Sequence, residues 1–336
     1  MPVEPSAVGT EPRSSRIPSW LRWVLRIAFT VGVTWIIARQ LGVGLDDALA
    51  LERGIPALDR GWVAASIVAL LATFLLAAGL WGRMVRDLGE ADPGVAASAR
   101  VIFTANLGRY VPGKVWQIAG LAILARRQGV SATIGTLAGI LVQGFSLLAA
   151  AAWGIPALTA IRAESPEWLW LVVGLGIAAV VLLCSVPALL HGVFRFLFRL
   201  ARRDPDEAPK TDVRFGLRWL CWHMVVWAGY GAAFHLFLVG LGFDELGILS
   251  STVYFAAAYL LGYLALPAPA GLGVREGVLM ALLLPALGPA AAPVAILARL
   301  WMTAVELAPA GALALWEAMR RPVEPNAVTE SRETRP

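Results

Sequence analysis

The stretch 264–284, LALPAPAGLGVREGVLMALLL, interrupts an apolar run and places a charge pair beside the interruption. We predict helix breaks at Pro267, Pro269, Gly271 and Gly273. A broken helix leaves backbone N–H groups unpaired, and the positive end of its dipole favours an anion. Arg275 follows directly and offers a planar fork of donors that suits a phosphate, with Glu276 as its neighbour. The pattern therefore indicates an anion site built on a broken helix.

A second stretch, LGRYVPGK at 107–114, has the same form: apolar helix, proline, glycine, then a basic residue. We predict breaks at Pro112 and Gly113. The polar residues around them that we expect to contact a ligand are Arg109, Tyr110, Lys114 and Gln117. Two interrupted segments in one chain are a strong sequence indicator of a transporter's substrate site. The alternative is that proline and glycine only end helices, with Arg275 at the membrane interface.

Three further polar residues fall inside apolar runs. Arg299 and Glu306 are seven residues apart, so they share a helix face. A charge at mid-membrane costs on the order of 2.5–3.5 kcal/mol, and a glutamate is too short to reach the interface. We therefore expect Glu306 to be paired, protonated or facing a polar cavity, whereas Arg299 either serves the site or extends to the interface. Gln143 is either a ligand-binding amide or a contact between helices.

Membrane helices must position these residues. Of the 336 residues, 58% are hydrophobic and 15% charged, and the mean hydropathy is +0.70. A soluble domain has about 25% charged residues. Seven stretches reach the length of about 20 apolar residues that a bilayer requires: 22–41, 61–82, 132–156, 168–190, 217–241, 247–266 and 293–317. An eighth, 277–289, is short and contains Pro285, which we expect to break it.

These elements predict an all-α polytopic membrane protein with about 8 transmembrane segments and two broken or re-entrant helices. The connection 96–127 is too apolar for a solvated loop, although both of its ends must lie on the cytoplasmic side. Two short helices that enter and leave the membrane on that side would satisfy both facts. A pair of amphipathic helices on the membrane surface is the alternative.

The distribution of basic residues predicts the topology. Arginine and lysine concentrate before the first run, in 83–127 and in 191–218, whereas the intervening connections are poor in basic residues or balanced. We expect a multi-pass protein of a bacterial or archaeal cell membrane with both termini cytoplasmic. The polar segments 1–20 and 319–336 are predicted to be disordered cytoplasmic tails, and 21–318 to be the transmembrane domain.

Motifs of soluble enzymes are absent from the sequence. There is no P-loop, no G-x-S-x-G, no H-E-x-x-H and no paired-cysteine metal site, so we predict no catalytic residue, no metal and no cofactor. Cys184 and Cys221 both fall in apolar segments, without the spacing of a disulfide or a metal site. The net charge of +5 relates to topology and anionic headgroups, and we expect no nucleic-acid partner.

Three motifs resemble the lysylphosphatidylglycerol synthase transmembrane family of flippase-like membrane proteins. They are LPAPAGLGVREGVL, YVPGKVWQIAGLAILARRQGVS and the arginine of ILARLW, within a resemblance that covers about residues 20–318. Gln143 stands where members often have an acidic residue, so a carboxylate role is not expected there. In bifunctional bacterial members, the resemblance implies, such a domain moves aminoacylated phospholipid between leaflets while a soluble domain makes the lipid. No segment here is long enough for that soluble domain.

The leading hypothesis is a protein that binds and translocates an anionic phospholipid or polyprenyl-phosphate-linked lipid, without enzyme activity. One alternative is a membrane-embedded transferase acting on a lipid-linked substrate, with Glu276 or Glu306 as general base. Another is a scaffold that binds a separate lipid-modifying enzyme through 191–218. The sequence predicts an anionic membrane lipid as partner and does not predict an oligomeric state.

Overall fold

The structure is a computed structural model that describes residues 58–110, 115–159, 167–209, 211–265, 271 and 273–320. All of these residues fall in one unit, 48–336. The predicted first span, 22–41, and both predicted tails lie outside the described residues, except for positions 319 and 320.

Ten α-helices and four short 3₁₀ turns account for most of the described residues, and no strand occurs among them. The helices are α1 (Arg60–Asp87), α2 (Gly94–Asn106), α3 (Val115–Arg127), α4 (Ala132–Gly154), α5 (Glu167–Ser185), α6 (Pro187–Leu200), α7 (Val213–Gly240), α8 (Ile248–Leu264), α9 (Val274–Leu287) and α10 (Ala291–Arg320). The 3₁₀ turns are Leu107–Tyr110, Ile155–Thr159, Pro205–Glu207 and Gly288–Ala290. The predicted all-α class is therefore confirmed.

Four described runs are long and apolar enough to cross a membrane, and α5 with α6 raises the number to five if that bent pair is one span. The four are α1, α4 with its following turn, α7 and the run from Val274 to Ala312. The last run has 39 residues. A straight helix would separate Glu276 from Arg299 by about 35 Å, yet Glu276 Oε1 lies 3.5 Å from Arg299 Nε. Helices α9 and α10 therefore form an antiparallel hairpin that turns at 288–290.

Pro285 does not break the eighth apolar segment, so that prediction is wrong. Helix α9 begins at Val274, contains Pro285 and continues to Leu287. A proline removes one backbone hydrogen bond to the preceding turn and crowds the carbonyl there. Because the helix ends two residues later, this disturbance is confined to its last turn.

Helices α2 and α3 form the two short helices that were predicted over 96–127. Gly108 in the turn lies against the backbone of Gln117, where an added Cβ would be 2.7 Å from the Gln117 nitrogen. The close approach therefore requires a glycine. Helix α2 packs on α1 and α10, and α3 packs on α4. Entry of this hairpin into the bilayer stays a prediction.

Two tryptophan side chains form hydrogen bonds between α4 and α7. Trp227 Nε1 donates to the Ser146 carbonyl at 2.9 Å, and Trp153 Nε1 donates to the Met224 carbonyl at 3.1 Å. Each indole combines a large apolar surface with one satisfied donor, and Trp227 is fully buried. Because these helices are apolar on all sides, such contacts determine which faces turn toward each other.

Candidate functional site

A cavity of about 510 Å³ lies among the helices, with walls from α1 to α4, from α7 and α8, and from the α9–α10 hairpin. Its lining is mostly apolar and aromatic. The polar side chains that converge on it include Asn106, Gln117, Gln143, His223, Arg275, Arg299 and Glu306. An apolar cavity with a few convergent polar groups is the usual form of a small-molecule site.

Arg275 forms one charged part of this cavity wall. It is the second residue of α9 and is 7% exposed. Its guanidinium carbon lies 4.8 Å from the centre of the Phe255 ring and 5.5 Å from that of Tyr259, and Nη2 donates to Met302 Sδ at 2.9 Å. Cation–π contacts of this kind contribute about 0.5–2 kcal/mol each. The two rings therefore hold the guanidinium in one orientation at the cavity wall.

Glu276 closes the start of α9 and pairs with α10. Its Oε2 accepts a hydrogen bond from the Gly273 N–H at 2.8 Å, and its Oε1 lies 3.5 Å from Arg299 Nε. The Glu276 and Arg299 side chains are 1% and 6% exposed. Glu276 therefore both caps a backbone N–H at the start of α9 and pairs with a buried arginine. The alternative that Arg299 extends to the interface is wrong, because this buried carboxylate holds it inside.

Only the first of the two adjacent residues of the motif lines the large cavity. Neighbouring helical positions point about 100° apart. Arg275 accordingly lines the large cavity, whereas Glu276 lines only a small separate void, which Arg275 and Arg299 also line. Arg275 is thus placed to contact a ligand, and Glu276 is placed to hold the helix that carries Arg275.

Glu306 is the second acidic residue of the site. It is 2% exposed and lines the cavity from α10, on the same face as Arg299 and Thr303. The shared face expected from the seven-residue spacing is therefore confirmed. Glu306 lies at a cavity whose lining is mostly apolar with a few polar groups. Its carboxylate contributes negative charge to a wall that Arg275 makes positive.

Neutral amides line the opposite part of the cavity. Gln117 Nε2 donates to Asn106 Oδ1 at 3.0 Å and so joins α3 to α2 across the hairpin. Gln143 lines the cavity from α4, and its Nε2 is buried without a hydrogen-bond partner among the described residues. Asn106 was not identified from the sequence, because one amide near the end of an apolar helix carries no distinguishing pattern.

His223 also lines the cavity. Its Nδ1 lies 2.8 Å from the Trp219 carbonyl, so Nδ1 carries the proton, and its ring stacks on Phe145 at 6.1 Å. Nε2 is buried and has no partner within the described part of the chain. The spacing of His223, Trp227 and Tyr230 would have indicated one shared face, because they follow the four-then-three period of a helix.

Residues next to both predicted breaks reach this one cavity. Gln117 follows the first break, and Gly271 and Arg275 accompany the second. Gly273 adopts a φ of 81°, a left-handed conformation that favours glycine, and caps α9. The backbone of Arg109 and Tyr110 lies in the turn 107–110, but their side chains are outside the described residues. Also outside them are Pro112, Gly113, Lys114, Pro267 and Pro269.

The sequence model described as the lysylphosphatidylglycerol synthase TM region matches residues 23–310. The match includes α1 to α9, most of α10 and every residue that lines the cavity. Neither the curated proteins nor the solved structures gave a significant match. The chain therefore belongs to the lysylphosphatidylglycerol synthase transmembrane family, whose members are membrane proteins linked to lipid handling.

Proposed function

We propose that this protein binds the headgroup of an anionic lipid in the cavity and moves that lipid between the two leaflets. The lipid is a phospholipid or a polyprenyl-phosphate-linked lipid. The observation that carries the proposal is the placement of Arg275, a buried guanidinium on the cavity wall at the N-terminal turn of α9. A phosphate there would meet both the cation and the positive end of the helix dipole.

The four charges of the site support a division of roles. Glu276 lies against Arg299 and joins α9 to α10, and Arg275 and Glu306 place charges of opposite sign on the cavity wall. Arg275 is the residue that we assign to the lipid phosphate. Glu306 would bind a cationic group of the headgroup or balance the arginine charges. The mostly apolar and aromatic lining suits the glycerol and acyl portions of a lipid.

Interrupted helices provide the movement that translocation requires. Helix α2 ends at Asn106 and α3 begins at Val115, while α8 ends at Leu264 and α9 begins at Val274. Both interruptions adjoin the cavity. In transporters, discontinuous helices at the substrate site let one group of helices rock against another. We therefore assign the hinges of alternating access to these two interruptions.

A transfer assay with the purified protein in vesicles tests this function. Arg275→Lys keeps the charge but loses the planar fork, and Arg275→Gln loses both. We expect transfer of fluorescent phosphatidylglycerol to fall about 10-fold or more in both variants, because hydrogen bonds to charged groups contribute about 1.5–3 kcal/mol. Arg127→Lys and Arg127→Gln, at an exposed arginine on α3, are the matched controls and should transfer lipid normally.

Two outcomes would contradict the proposal. If Arg275→Lys transfers lipid at the normal rate and Arg275→Gln only lowers the melting temperature, then Arg275 is a structural residue that ends a helix. If the lipid extracted from the vesicles contains a new product, the protein is a membrane-embedded transferase. The folded state of each variant is checked by gel filtration before reconstitution.

A further inference from the structure

Helix α6 runs in a different direction from α5, the helix before it, and it lies apart from the cavity. The segment Gly174–Leu182 of α5 and the helix Pro187–Leu200 meet at 64°. The chain then returns to the same place, because Thr211 Oγ1 donates to the Pro187 carbonyl at 3.2 Å. Helix α6 and the residues after it therefore form a side segment whose two ends lie together, between the end of α5 and the start of α7.

Charged groups and indoles near the start of α7, close to where α6 begins, indicate that this part of the protein lies at a membrane interface. Near the start of α7, Arg218 Nη2 lies 2.7 Å from Asp87 Oδ2, which also accepts from Trp219 Nε1 at 3.1 Å. The guanidinium carbon of Arg83 lies 5.0 Å from the centre of the Trp222 ring. Arginine with tryptophan is typical of the headgroup region. Helix α6 thus departs at headgroup level, inclined by 64° from α5.

One side of α6 is packed on the protein. Leu190, Phe194 and Phe198 are buried, and the Phe194 ring meets the Phe215 ring of α7 edge to face at 5.6 Å. These three residues recur every fourth position, so they form one stripe of the helix. This stripe anchors α6 and fixes which of its other sides point outward.

A second side of α6 is apolar and exposed. Its members are Leu189, Val193, Phe196 and Leu200, which are 48%, 46%, 62% and 70% exposed. Their spacing of four, three and four residues places them on one helix face. The exposed Val181 and Leu182 at the end of α5 precede this face in the chain. Such a stripe of large apolar residues beside a membrane span is suited to contact with acyl chains.

The third side of α6 is cationic. Arg195 and Arg199 are exposed and lie about 110° around the helix from the apolar stripe. Arg195 Nη2 lies 3.2 Å from Asp206 Oδ1, in a pair whose side chains are 45% and 82% exposed. An exposed pair of this kind contributes little stability and exchanges readily for another anion. The arginines are therefore available to lipid phosphates.

We infer that α6 is an interfacial helix that binds the anionic lipids of the leaflet on its own side. The apolar stripe of Leu189, Val193, Phe196 and Leu200 lies among acyl chains, and Arg195 and Arg199 contact headgroup phosphates. Amphipathic helices that combine an apolar face with arginine bind anionic membranes in this way. This site lies outside the cavity, so it does not depend on the function proposed for Arg275.

Quenching by labelled lipids tests the inference in the full-length protein. An environment-sensitive dye is attached at Phe196→Cys, with Cys184→Ala and Cys221→Ser in the background. Vesicles of phosphatidylcholine and phosphatidylglycerol carry a nitroxide on either one lipid or the other. We expect nitroxide-labelled phosphatidylglycerol to quench the dye several-fold more strongly than nitroxide-labelled phosphatidylcholine at equal content. Arg195→Gln with Arg199→Gln should make the two lipids quench equally.

A control pair of substitutions with the same loss of charge tests whether the effect is specific to the arginines of α6. Arg126→Gln with Arg127→Gln removes two exposed arginines from α3 and should leave the preference for phosphatidylglycerol unchanged. Leu200→Cys provides a second labelling position if the first variant does not fold. Equal quenching by both lipids in the labelled protein that keeps Arg195 and Arg199 would overturn the inference. Quenching by aqueous iodide instead, or protection from every quencher by a bound protein, would overturn it as well.

Discussion

Glu276→Ala is expected to lower the free energy of unfolding by about 3–5 kcal/mol, because it removes one partner of a buried ion pair. The Arg299 guanidinium loses the carboxylate that lies 3.5 Å away, and the Gly273 N–H loses its 2.8 Å acceptor. Glu276→Gln should have an intermediate effect, since its amide oxygen still accepts from Gly273 while the charge is lost. Unfolding of the purified protein by steric trapping in bicelles measures both changes.

Two further variants distinguish the buried pair from a general charge effect. Glu207→Ala removes an exposed carboxylate that lies 4.0 Å from Arg203, and it should change stability by less than about 1 kcal/mol. The double variant Glu276→Leu with Arg299→Met should be more stable than Glu276→Ala alone, because it leaves no buried charge from this pair. If Glu276→Ala is no more destabilising than Glu207→Ala, the ion pair does not hold α9 to α10.

Gly216→Ala is expected to disrupt the contact between α5 and α7. A Cβ at position 216 would overlap the backbone carbonyl of Cys184 and lie 2.6 Å from Leu190 Cδ1. A side chain can rotate away from such a clash, but a helix carbonyl cannot. Overpacking usually costs about 1–3 kcal/mol, and we expect this variant to exceed that range because two helices must separate. The yield of monodisperse protein and the melting temperature report the effect.

The control for this prediction is Gly174→Ala, a glycine-to-alanine change in α5 whose added Cβ meets no atom within 4 Å. Alanine is favoured over glycine inside a helix by about 1 kcal/mol, so this variant should fold at least as well as the parent. If the Gly216→Ala protein has the same melting temperature as the Gly174→Ala protein, α5 and α7 do not cross this closely.

Helix positions were largely predictable from the sequence, because a long apolar run has one stable form in a membrane. The run 61–82 lies within Arg60–Asp87, and 132–156 nearly coincides with Ala132–Gly154. The interruption at Gly271 and Gly273 was also predictable, since only certain residue types end helices sharply. Pro285 was misjudged because a proline near a helix end is tolerated.

The faces that surround the cavity were not predictable in the same way. Helices such as α4 and α7 are apolar around their whole circumference, so no stripe indicates which side faces the site. His223 and Asn106 reach the cavity only through the rotation of helices that tertiary packing fixes. Arg299 was expected either to serve the site or to extend to the membrane interface, and its contact with Glu276 was not predictable because it requires the reversal of the chain at 288–290.

Mass spectrometry of the lipid extracted with the purified protein tests directly whether Arg275 holds a headgroup. With the α6 site removed by Arg195→Gln and Arg199→Gln, we predict that an anionic lipid still accompanies the protein stoichiometrically and is lost when Arg275→Gln is added. The matched Arg127→Gln protein should retain it, because that arginine is exposed on α3 and does not line the cavity. Absence of any anionic lipid from the parent protein, or its undiminished presence in folded Arg275→Gln, would contradict a headgroup site at Arg275.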